Sequence, residues 1–398
     1  MQNYFGDIQE KYYLCSTKRQ NFPSIRHMEG DLIRINPWLY PLAWIYGWVV
    51  SVRNYFFDCG VLESKEYDIP IISVGNITVG GTGKTPHIEH LVRLLSEKHK
   101  VAVLSRGYKR KSSGYILAHE GMTAEHIGDE PWQMMQKFPD VYIAVDADRR
   151  RGIERLMNDE ATRDVEIILL DDAFQHRYVT PGCNILLTDY HRLFTKDEIL
   201  PAGRLREPAK GKERANMVIV SKCPRDMSPM DYRIIAGSLD LRPYQQLYFT
   251  SFRYGRMVNL ATMEMKSMKE MKENNVLLLT GIGCPQHMTM DLSENFASVK
   301  SLSYPDHHYY SMQDLQNAYE KLAELPEPRI MITTEKDATR LMALRKIPEH
   351  MAREIWVLPA GVHFLQDKDQ VFNEKITGYV QKNLRNRRLA EGQTDNEA

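Results

Sequence analysis

A glycine-rich turn followed by a lysine and a threonine holds the residue types best suited to phosphate chemistry. The segment 69–86 reads IPIISVGNITVGGTGKTP, with a β-branched apolar run before the turn, and residues 87–95 have helical spacing. Such a turn presents backbone N–H groups, a helix N-terminus and a lysine to phosphate oxygens, and a hydroxyl to Mg²⁺. Thr78 stands where G-x-x-x-x-G-K-[ST] has its first glycine, but the strand and the Gly-Lys-Thr order disfavour a turn that binds nothing. The predicted cradle for ATP and Mg²⁺ consists of Gly80, Gly81, Thr82, Gly83, Lys84 and Thr85.

Two pairs of acidic residues could serve a metal or a proton transfer. Asp171 and Asp172 directly follow the apolar strand predicted at 165–170, which is the Walker B arrangement that holds Mg²⁺ directly or through water. Asp129 and Glu130 follow a polar loop and precede an apolar helix. On residue types alone, helix capping is the favoured interpretation of this second pair, and a base or a Mg²⁺ ligand is the alternative.

A parallel sheet is predicted to bring these groups together. Apolar strands alternate with helices over residues 63–240, and this pattern predicts a doubly wound α/β fold of the P-loop NTPase type. Residues 241–262 are rich in aromatic and β-forming side chains and are predicted as a linker or β-ribbon. A smaller second α/β unit with a C-terminal helix is predicted for 263–384, and 385–398 read as a polar, disordered tail.

An uncharged aromatic stretch precedes the P-loop. Residues 1–27 have no clear pattern and read as an extension, whereas 28–62 are predicted to hold a membrane-interface helix. Its centre, 37–52, contains no charge and three of the five tryptophans of the chain. A spanning helix needs about 20 apolar residues, so this run is short, and its Trp and Tyr content suits the headgroup boundary. The alternative is a helix packed on the soluble core. Both interpretations can hold if one face of the helix packs on the core and the other faces lipid.

Composition narrows the classes of function. The 398 residues include 52 acidic and 52 basic side chains, so the net charge gives no reason to expect nucleic-acid binding. Five scattered cysteines form no C-x-x-C pair, which disfavours a zinc site or a disulfide framework and fits a reducing compartment. Residues 1–30 are polar, and no signal peptide is expected.

Seven motifs then occur in a characteristic order: SVGNITVGGTGKTP, SRGY, GDEP, LLDDAFQHR, PAGRLREP, PDHH and TEKDA. Together they resemble the tetraacyldisaccharide 4′-kinases, also called lipid A 4′-kinases, over roughly residues 28–384. The P-loop phrase and PAGRLREP are specific, whereas GDEP or PDHH alone would not be. The family shares the atypical first glycine position, so Thr78 fits the resemblance.

The resemblance implies an activity and a location. Family members transfer the γ-phosphate of ATP to the 4′-hydroxyl of a tetra-acylated glucosamine disaccharide 1-phosphate, at the cytoplasmic face of the bacterial inner membrane. Their N-terminal helix inserts into the leaflet, and a β-ribbon hinge joins a P-loop domain to a smaller α/β domain. The expected partners are therefore the glycolipid substrate and the membrane surface. No nucleic acid and no obligatory protein partner are expected.

Carried over motif by motif, the resemblance assigns the residues at the phosphates. It implies that Lys84 and Thr85 hold phosphate and Mg²⁺, and that Glu130 helps to bind Mg²⁺. Asp171 and Asp172 would serve the metal and the P-loop lysine. Which of these acidic groups touches the metal directly stays open.

The resemblance also implies a catalytic dyad. Asp129 would be the base, supported by the histidine of PDH, His307, and His308 is the rival for that role. The histidine lies in the predicted second unit and Asp129 in the first. The dyad would therefore form only when the units close, which would limit wasteful ATP hydrolysis.

Two basic stretches complete the predicted site. Arg106 lies in SRGYKRK after a predicted strand, and Arg206 lies in a loop bounded by Pro and Gly. Residue types alone leave solvated loops and anion-binding loops as alternatives. The resemblance implies that Arg206 and Glu207 lie near the transferred phosphate, and that Arg106 and Tyr108 lie near the sugar–lipid substrate.

Two other classes of function remain at this point. A membrane-associated ATPase of the partitioning class has a similar GGTGKT loop, but it normally carries a lysine where this chain has Val79, and its membrane helix is usually C-terminal. A nucleotide-binding regulatory module would leave GDEP, PAGRLREP and PDHH without a purpose. ATP consumption that requires a glycolipid acceptor distinguishes a kinase from both.

Overall fold

The computed structural model describes residues 35–282, 285–305, 308–342, 344 and 347–394. The predicted extension 1–27 lies outside these residues. Two α/β units, each built on its own sheet, make up the described chain. In the first unit the helices are α1 Tyr40–Asp58, α2 Lys84–Ser96, α3 Ala124–Ile127, α4 Asp129–Lys137, α5 Arg149–Asn158 and α6 Pro229–Leu239. Its first eight strands are β1 Ile71–Asn76, β2 Val101–Ser105, β3 Ile116–Leu117, β4 Tyr142–Val145, β5 Ile167–Asp171, β6 Cys183–Asp189, β7 Met217–Ser221 and β8 Gln246–Tyr254.

The remaining elements begin in the second unit and end back on the first. The strands are β9 Met257–Asn259, β10 Met265–Lys266, β11 Asn275–Thr280, β12 Ser298–Ser303, β13 Arg329–Thr334, β14 Ile355–Leu358 and β15 Ala360–Phe364. The helices are α7 Gln286–Ser293, α8 Met312–Ala323, α9 Glu335–Met342, α10 Glu349–Ala352 and α11 Asp369–Thr394.

The first sheet confirms the predicted parallel α/β architecture. Its nine strands follow the order β15-β8-β7-β6-β1-β5-β2-β4-β3, in which only the edge strands β15 and β3 run antiparallel to their neighbours. All six residues of β1 are buried, as a central strand covered on both faces requires. The register pairs Val74 with Asp171, so the P-loop and the Asp171–Asp172 pair leave the sheet side by side.

The second sheet is smaller and mixed. Its order is β10-β9-β14-β13-β11-β12, with β14, β13, β11 and β12 parallel and β9 antiparallel to both of its neighbours. The predicted linker 241–262 therefore contributes to both sheets, since β8 belongs to the first sheet and β9 to the second.

The chain returns to the first unit after β14, which differs from the prediction of one second unit over 263–384. Strand β15 pairs with β8, and α11 packs its apolar stripe on the first sheet. Phe372, Ile376 and Val380 are spaced i, i+4, i+8 and are fully buried there, because that spacing places them on one helical face. The hydroxyl of Tyr379 also donates a hydrogen bond to the Ile71 carbonyl at 3.1 Å. Helix α11 continues to Thr394, so most of the predicted polar tail is helical.

Helix α1 lies on the first unit and exposes most of its aromatic residues. Its buried residues Ala43, Gly47 and Phe57 form the packed stripe, and Gly47 allows the Ile199 side chain to approach closely. The three tryptophans Trp38, Trp44 and Trp48 are 92, 76 and 62% exposed. Within the described ranges, no helix has the length and apolar character needed to cross a membrane.

Candidate active site at the phosphate loop

The P-loop is held open by its neighbours in the first sheet. Gly80 and Gly83 adopt φ angles of +116° and +80°, which side-chain-bearing residues rarely adopt. Thr82 is buried, and its hydroxyl accepts a hydrogen bond from Asn76 Nδ2 at 2.8 Å while its carbonyl accepts one from Ser221 Oγ at 2.8 Å. Thr82 therefore anchors the turn through its side chain. Lys84 and the N–H groups that follow Gly83 begin α2, as predicted.

The residue at the missing glycine position has a structural partner that no sequence motif indicates. Thr78 forms an antiparallel bridge with Leu205, flanked by hydrogen bonds from Val79 N to Arg204 O at 2.7 Å and from Arg206 N to Ile77 O at 2.8 Å. The first half of the P-loop is thus extended and paired with the PAGRLREP loop. A glycine is not needed there, because extended backbone suits any side chain.

Asp172 connects the two cations of the site. One of its carboxylate oxygens lies 3.6 Å from Lys84 Nζ, and the other accepts a hydrogen bond from Arg206 Nη1 at 3.1 Å. Burial alone would raise the pKa of the Asp172 carboxyl, but Lys84 and Arg206 together lower it by more. Asp172 is therefore an ionised counter-charge for both predicted phosphate ligands. Its φ of +47° lies in the left-handed region, which residues other than glycine uncommonly adopt.

Asp171 has the opposite electrostatic environment. Its Oδ2 accepts a hydrogen bond from Ser105 Oγ at 3.1 Å, whereas its buried Oδ1 has no hydrogen-bond partner among the described residues. Burial, followed by the charges of Glu130 and Asp172, raises the pKa of Asp171 to about 7. A buried carboxylate oxygen without a donor is the kind of group that a divalent cation satisfies.

These oxygen donors fit Mg²⁺. After burial, the charge of Glu130 is the next cause of the raised pKa of Asp171, and Thr85 is the second residue of α2. No cluster of three or more His, Cys, Asp or Glu side chains suited to a metal occurs within the described part of the chain. Mg²⁺ does not require one, because it usually takes one or two carboxylates, with water and phosphate oxygens completing its octahedron.

The Asp129–Glu130 pair begins α4 and meets cations from the second unit. Lys336 Nζ lies 3.1 Å from Glu130 Oε1, and Arg340 Nε donates to Asp129 Oδ2 at 3.0 Å. Burial raises the pKa of Glu130, but Lys336 and then Lys84 lower it by more, so the net shift is downward. The charge of Lys84, the lysine of the phosphate loop, thus contributes to the lowered pKa of Glu130. Lys336 and Arg340 were not predicted as site residues, although their i, i+4 spacing in TEKDATR places them on one helical face.

The predicted histidines differ in what the structure shows of them. His307 lies outside the described residues. His308 lies 3.1 Å from Asp314 through Nε2 and stacks on Tyr304 at a centroid distance of 4.5 Å. Asp314 belongs to the capping box of α8. These contacts hold His308 at that helix start.

The PAGRLREP loop places its two predicted residues in different surroundings. Arg206 contacts Asp172, as described above, and its carbonyl accepts a hydrogen bond from Tyr46 of α1 at 2.9 Å. Glu207 is 2% exposed, and both of its carboxylate oxygens lie 2.8 Å from Arg214 Nη2. Asn54 of α1 is a further, longer contact of Glu207 at 3.4 Å. Glu207 therefore supports the loop, and its predicted place beside the substrate stays a prediction.

The residues predicted near the lipid substrate are exposed. Arg106 and Tyr108 follow the C-terminal end of β2, and the Tyr108 ring is 61% exposed beside Lys109. Arg149, from the next basic stretch, is instead buried and donates hydrogen bonds to the carbonyls of Asp146 and Asp171. Arg149 thus fixes the strand end that carries the acidic pair, a structural contribution that three consecutive arginines in a sequence do not reveal.

The parallel sheet and the phosphate loop, whose lysine is paired with a carboxylate, place the chain among the P-loop nucleotide-binding proteins. The family model described as tetraacyldisaccharide-1-P 4′-kinase matches residues 35–381, and the chain belongs to this family of kinases. Two relatives carry the name tetraacyldisaccharide 4′-kinase. The protein from Phocaeicola vulgatus is 54% identical over 362 residues, covering 90% of this chain and 99% of the relative, and the protein from Bacteroides thetaiotaomicron is 49% identical over 374 residues, covering 92% and 98%.

A solved structure shares the fold. The crystal structure of LpxK from Aquifex aeolicus in complex with ATP superimposes with a TM-score of 0.65 at 27% sequence identity. The match covers 87% of this chain and 98% of that chain. The likeness thus includes both α/β units.

Proposed function

We propose that this kinase transfers the γ-phosphoryl group of ATP to the 4′-hydroxyl of tetraacyldisaccharide 1-phosphate, a step in lipid A biosynthesis. The observation that carries this proposal is a phosphate loop whose Lys84 lies 3.6 Å from Asp172, with Asp171 paired in register to Val74 of the strand that enters the loop. Membership of the tetraacyldisaccharide-1-P 4′-kinase family, over residues 35–381, disfavours the partitioning ATPase and the regulatory module.

Lys84 and Arg206, which both pair with Asp172, are proposed to neutralise charge at the phosphates. Lys84 and Arg206 share this one carboxylate, so each can turn to a phosphate oxygen while the other keeps Asp172 paired. Mg²⁺, when bound with the nucleotide, supplies further positive charge at the transferring group. Thr85, Glu130 and Asp171 would hold it, directly or through water, while Asp172 serves Lys84 and Arg206.

Asp129 is the proposed base. Phosphoryl transfer to an unactivated sugar hydroxyl passes through a loose transition state, so a carboxylate within hydrogen-bond distance can accept the proton late without a large pKa shift. His307 is the proposed supporting histidine. Burial first and then the charge of Asp129 raise the pKa of Tyr309, two residues after His307 in the sequence, which supports this pairing.

We place the substrate and the membrane on the side of α1 and the loop after β2. The exposed aromatic face of α1 is proposed to lie in the headgroup region of the inner membrane, at its cytoplasmic face. Arg106 and Tyr108 are proposed to contact the sugar–lipid, and Glu207 to act beside the transferred phosphate. The antiparallel β8–β15 pair connects the units and is the proposed β-ribbon hinge for their closure.

A phosphotransfer assay tests the proposal. Purified full-length protein is supplied with Mg-ATP and tetraacyldisaccharide 1-phosphate in mixed micelles, and the product carrying the second phosphate is measured by mass spectrometry. We expect product with the unmodified chain and none above background with Lys84→Ala. ATP consumption should also require the glycolipid acceptor. No product beyond the Lys84→Ala level, or ATP hydrolysis that ignores the acceptor, would refute the proposed function.

A further inference from the structure

Helix α9 of the second unit lies along α4 of the first with three ion pairs in register. Glu335 pairs with Lys137 at 2.6 Å, and Lys336 pairs with Glu130 at 3.1 Å. Arg340, one turn further along, pairs with Asp129 at 3.0 Å. The two acidic residues at the start of α4 therefore each receive one cation from the same helix.

The Arg340 pair differs from the other two in burial and in anchorage. Its side chain is 1% exposed, whereas the side chains of Lys336 and Lys137 are 21 and 23% exposed. Arg340 Nη1 donates hydrogen bonds to Asp337 Oδ1 at 3.1 Å and to the Gly281 carbonyl at 3.0 Å, and Asp337 is itself fixed by the Thr334 hydroxyl at 2.8 Å. The guanidinium is thus held within the second unit.

The Nε atom of this anchored guanidinium donates a hydrogen bond to Asp129 Oδ2 in the first unit. A guanidinium donates in a fixed planar fork, so an acceptor bonded to it is fixed in direction as well as in distance. Glu130, Asp337 and Tyr309 are other titratable groups near this pair. The hydrogen bond to Asp129 Oδ2 comes from Nε of Arg340.

We infer that Arg340 is a positioning residue that orients the carboxylate of Asp129 toward the acceptor hydroxyl. This inference rests on the proposed function, because it takes Asp129 as the base. It makes docking of the second unit part of the assembly of the base, since the guanidinium that fixes Asp129 is anchored to Asp337 and Gly281 across the interface. A misplacement of about 1 Å in a reacting group can lower a rate about 100-fold.

Steady-state kinetics of Arg340→Gln and Arg340→Lys test the inference against a merely adhesive contact. We expect kcat of Arg340→Gln to fall about 10- to 100-fold, with KM for ATP changed less than about threefold, because the nucleotide cradle is untouched. Arg340→Lys restores a charge without the planar fork and should recover part of kcat. Glu335→Gln is the matched control. It removes one cross-interface ion pair from the same helix, leaves the Lys137–Glu89 pair in place, and should keep kcat within about threefold.

A double-mutant cycle separates the inference from the function on which it rests. In the Asp129→Asn background, Arg340→Gln should cause no further loss of kcat, because it acts through Asp129. An independent further loss there, or a kcat for Arg340→Gln equal to that of Glu335→Gln, would overturn the inference. Loss of ATP binding by both Arg340 variants would also overturn it, by showing a structural role. Full activity of Asp129→Asn alone would instead refute the assignment of the base.

Discussion

Asp171 and Asp172 show how neighbouring residues of one type acquire different chemistry. Asp172 meets Lys84 and Arg206, which lower its pKa, whereas Asp171 is buried beside other carboxylates, which raises its pKa. The sequence predicts the pair as a unit from the strand that precedes it. It does not divide the two roles, because Ser105 and Arg206 come from distant parts of the chain.

This division predicts a selective effect on the metal. Asp171→Asn should raise the Mg²⁺ concentration for half-maximal activity about 10- to 100-fold, since a carboxylate oxygen suited to the ion is lost. Asp172→Asn should instead lower kcat with a smaller change in Mg²⁺ dependence, because it removes the partner of Lys84. Mg²⁺ titrations of both variants at saturating ATP provide the measurement. Equal Mg²⁺ dependence in the two variants would contradict the division.

His87 predicts a pH dependence of stability. Its ring is buried between the Gly83 carbonyl at 2.7 Å and the Thr250 hydroxyl at 3.1 Å, and burial lowers its pKa from 6.5 to about 4. The unfolded chain takes up this proton near pH 6.5 and the native protein only near pH 4. The contribution of neutral His87 is therefore fully present above pH 6.5 and is lost as the pH falls toward 4.

The matching experiment compares His87→Asn with the unmodified chain in urea unfolding from pH 7.5 to pH 4.5. Asn can still donate to the Gly83 carbonyl but does not titrate. We expect the free energy of unfolding to fall less steeply with acidification in the variant. His176, whose pKa is also lowered to about 4, remains in both proteins, so the difference between them isolates His87. Parallel pH profiles would show that His87 does not titrate in this way.

At the scale of elements, α1 has a packed stripe and an exposed aromatic face. The uncharged run 37–52 predicts such a helix, and the structure places it over the Arg206 loop through the Tyr46 hydroxyl. Hydropathy could not reveal that hydrogen bond, because Tyr46 and Arg206 are 160 residues apart. The exposed face and the contact with the site lie on one helix, so the proposed membrane attachment and the contact with the Arg206 loop belong to the same element.

Removing two rings from the exposed face should weaken membrane attachment. The double variant Trp44→Ala/Trp48→Ala loses apolar area that we place in the headgroup region, and a fully buried large side chain contributes about 1.5–3 kcal/mol. We expect co-sedimentation with phosphatidylethanolamine–phosphatidylglycerol vesicles to weaken at least about tenfold. Met230→Ala removes an exposed apolar side chain of α6 and should leave it unchanged. Equal retention of the Trp variant and the control would argue against an interfacial α1.

At the scale of the whole molecule, local patterns predict the elements, and long-range packing decides where some of them belong. The strands that flank the P-loop are evident from short apolar runs. The return of β15 and α11 to the first sheet is not, because the stripe of Phe372, Ile376 and Val380 fits any apolar face. The cross-unit pair of Asp129 and Arg340 is similarly hidden, since 211 residues separate its members. Helical spacing identifies such faces but not their partners.

The return of α11 predicts that the last helix of the chain stabilises the nucleotide-binding unit. Phe372 is buried, stacks on Phe364 at 4.3 Å and meets the Tyr248 ring edge-on at 5.2 Å, and both partners belong to strands of the first sheet. Phe372→Ala should lower the free energy of unfolding of that unit by about 3–5 kcal/mol, because it leaves a cavity among these rings.

Urea unfolding followed by the release of a fluorescent ATP analogue reports on the first unit directly. Val371→Ala is the control, because Val371 is the preceding residue of α11 and is 47% exposed, so its truncation should cost less than about 0.5 kcal/mol. If α11 instead belonged to a second unit that spans residues 263–384, Phe372→Ala would destabilise that unit and leave nucleotide release unchanged. Nucleotide release at an unchanged urea concentration would therefore favour that arrangement over the packing of α11 on the first sheet.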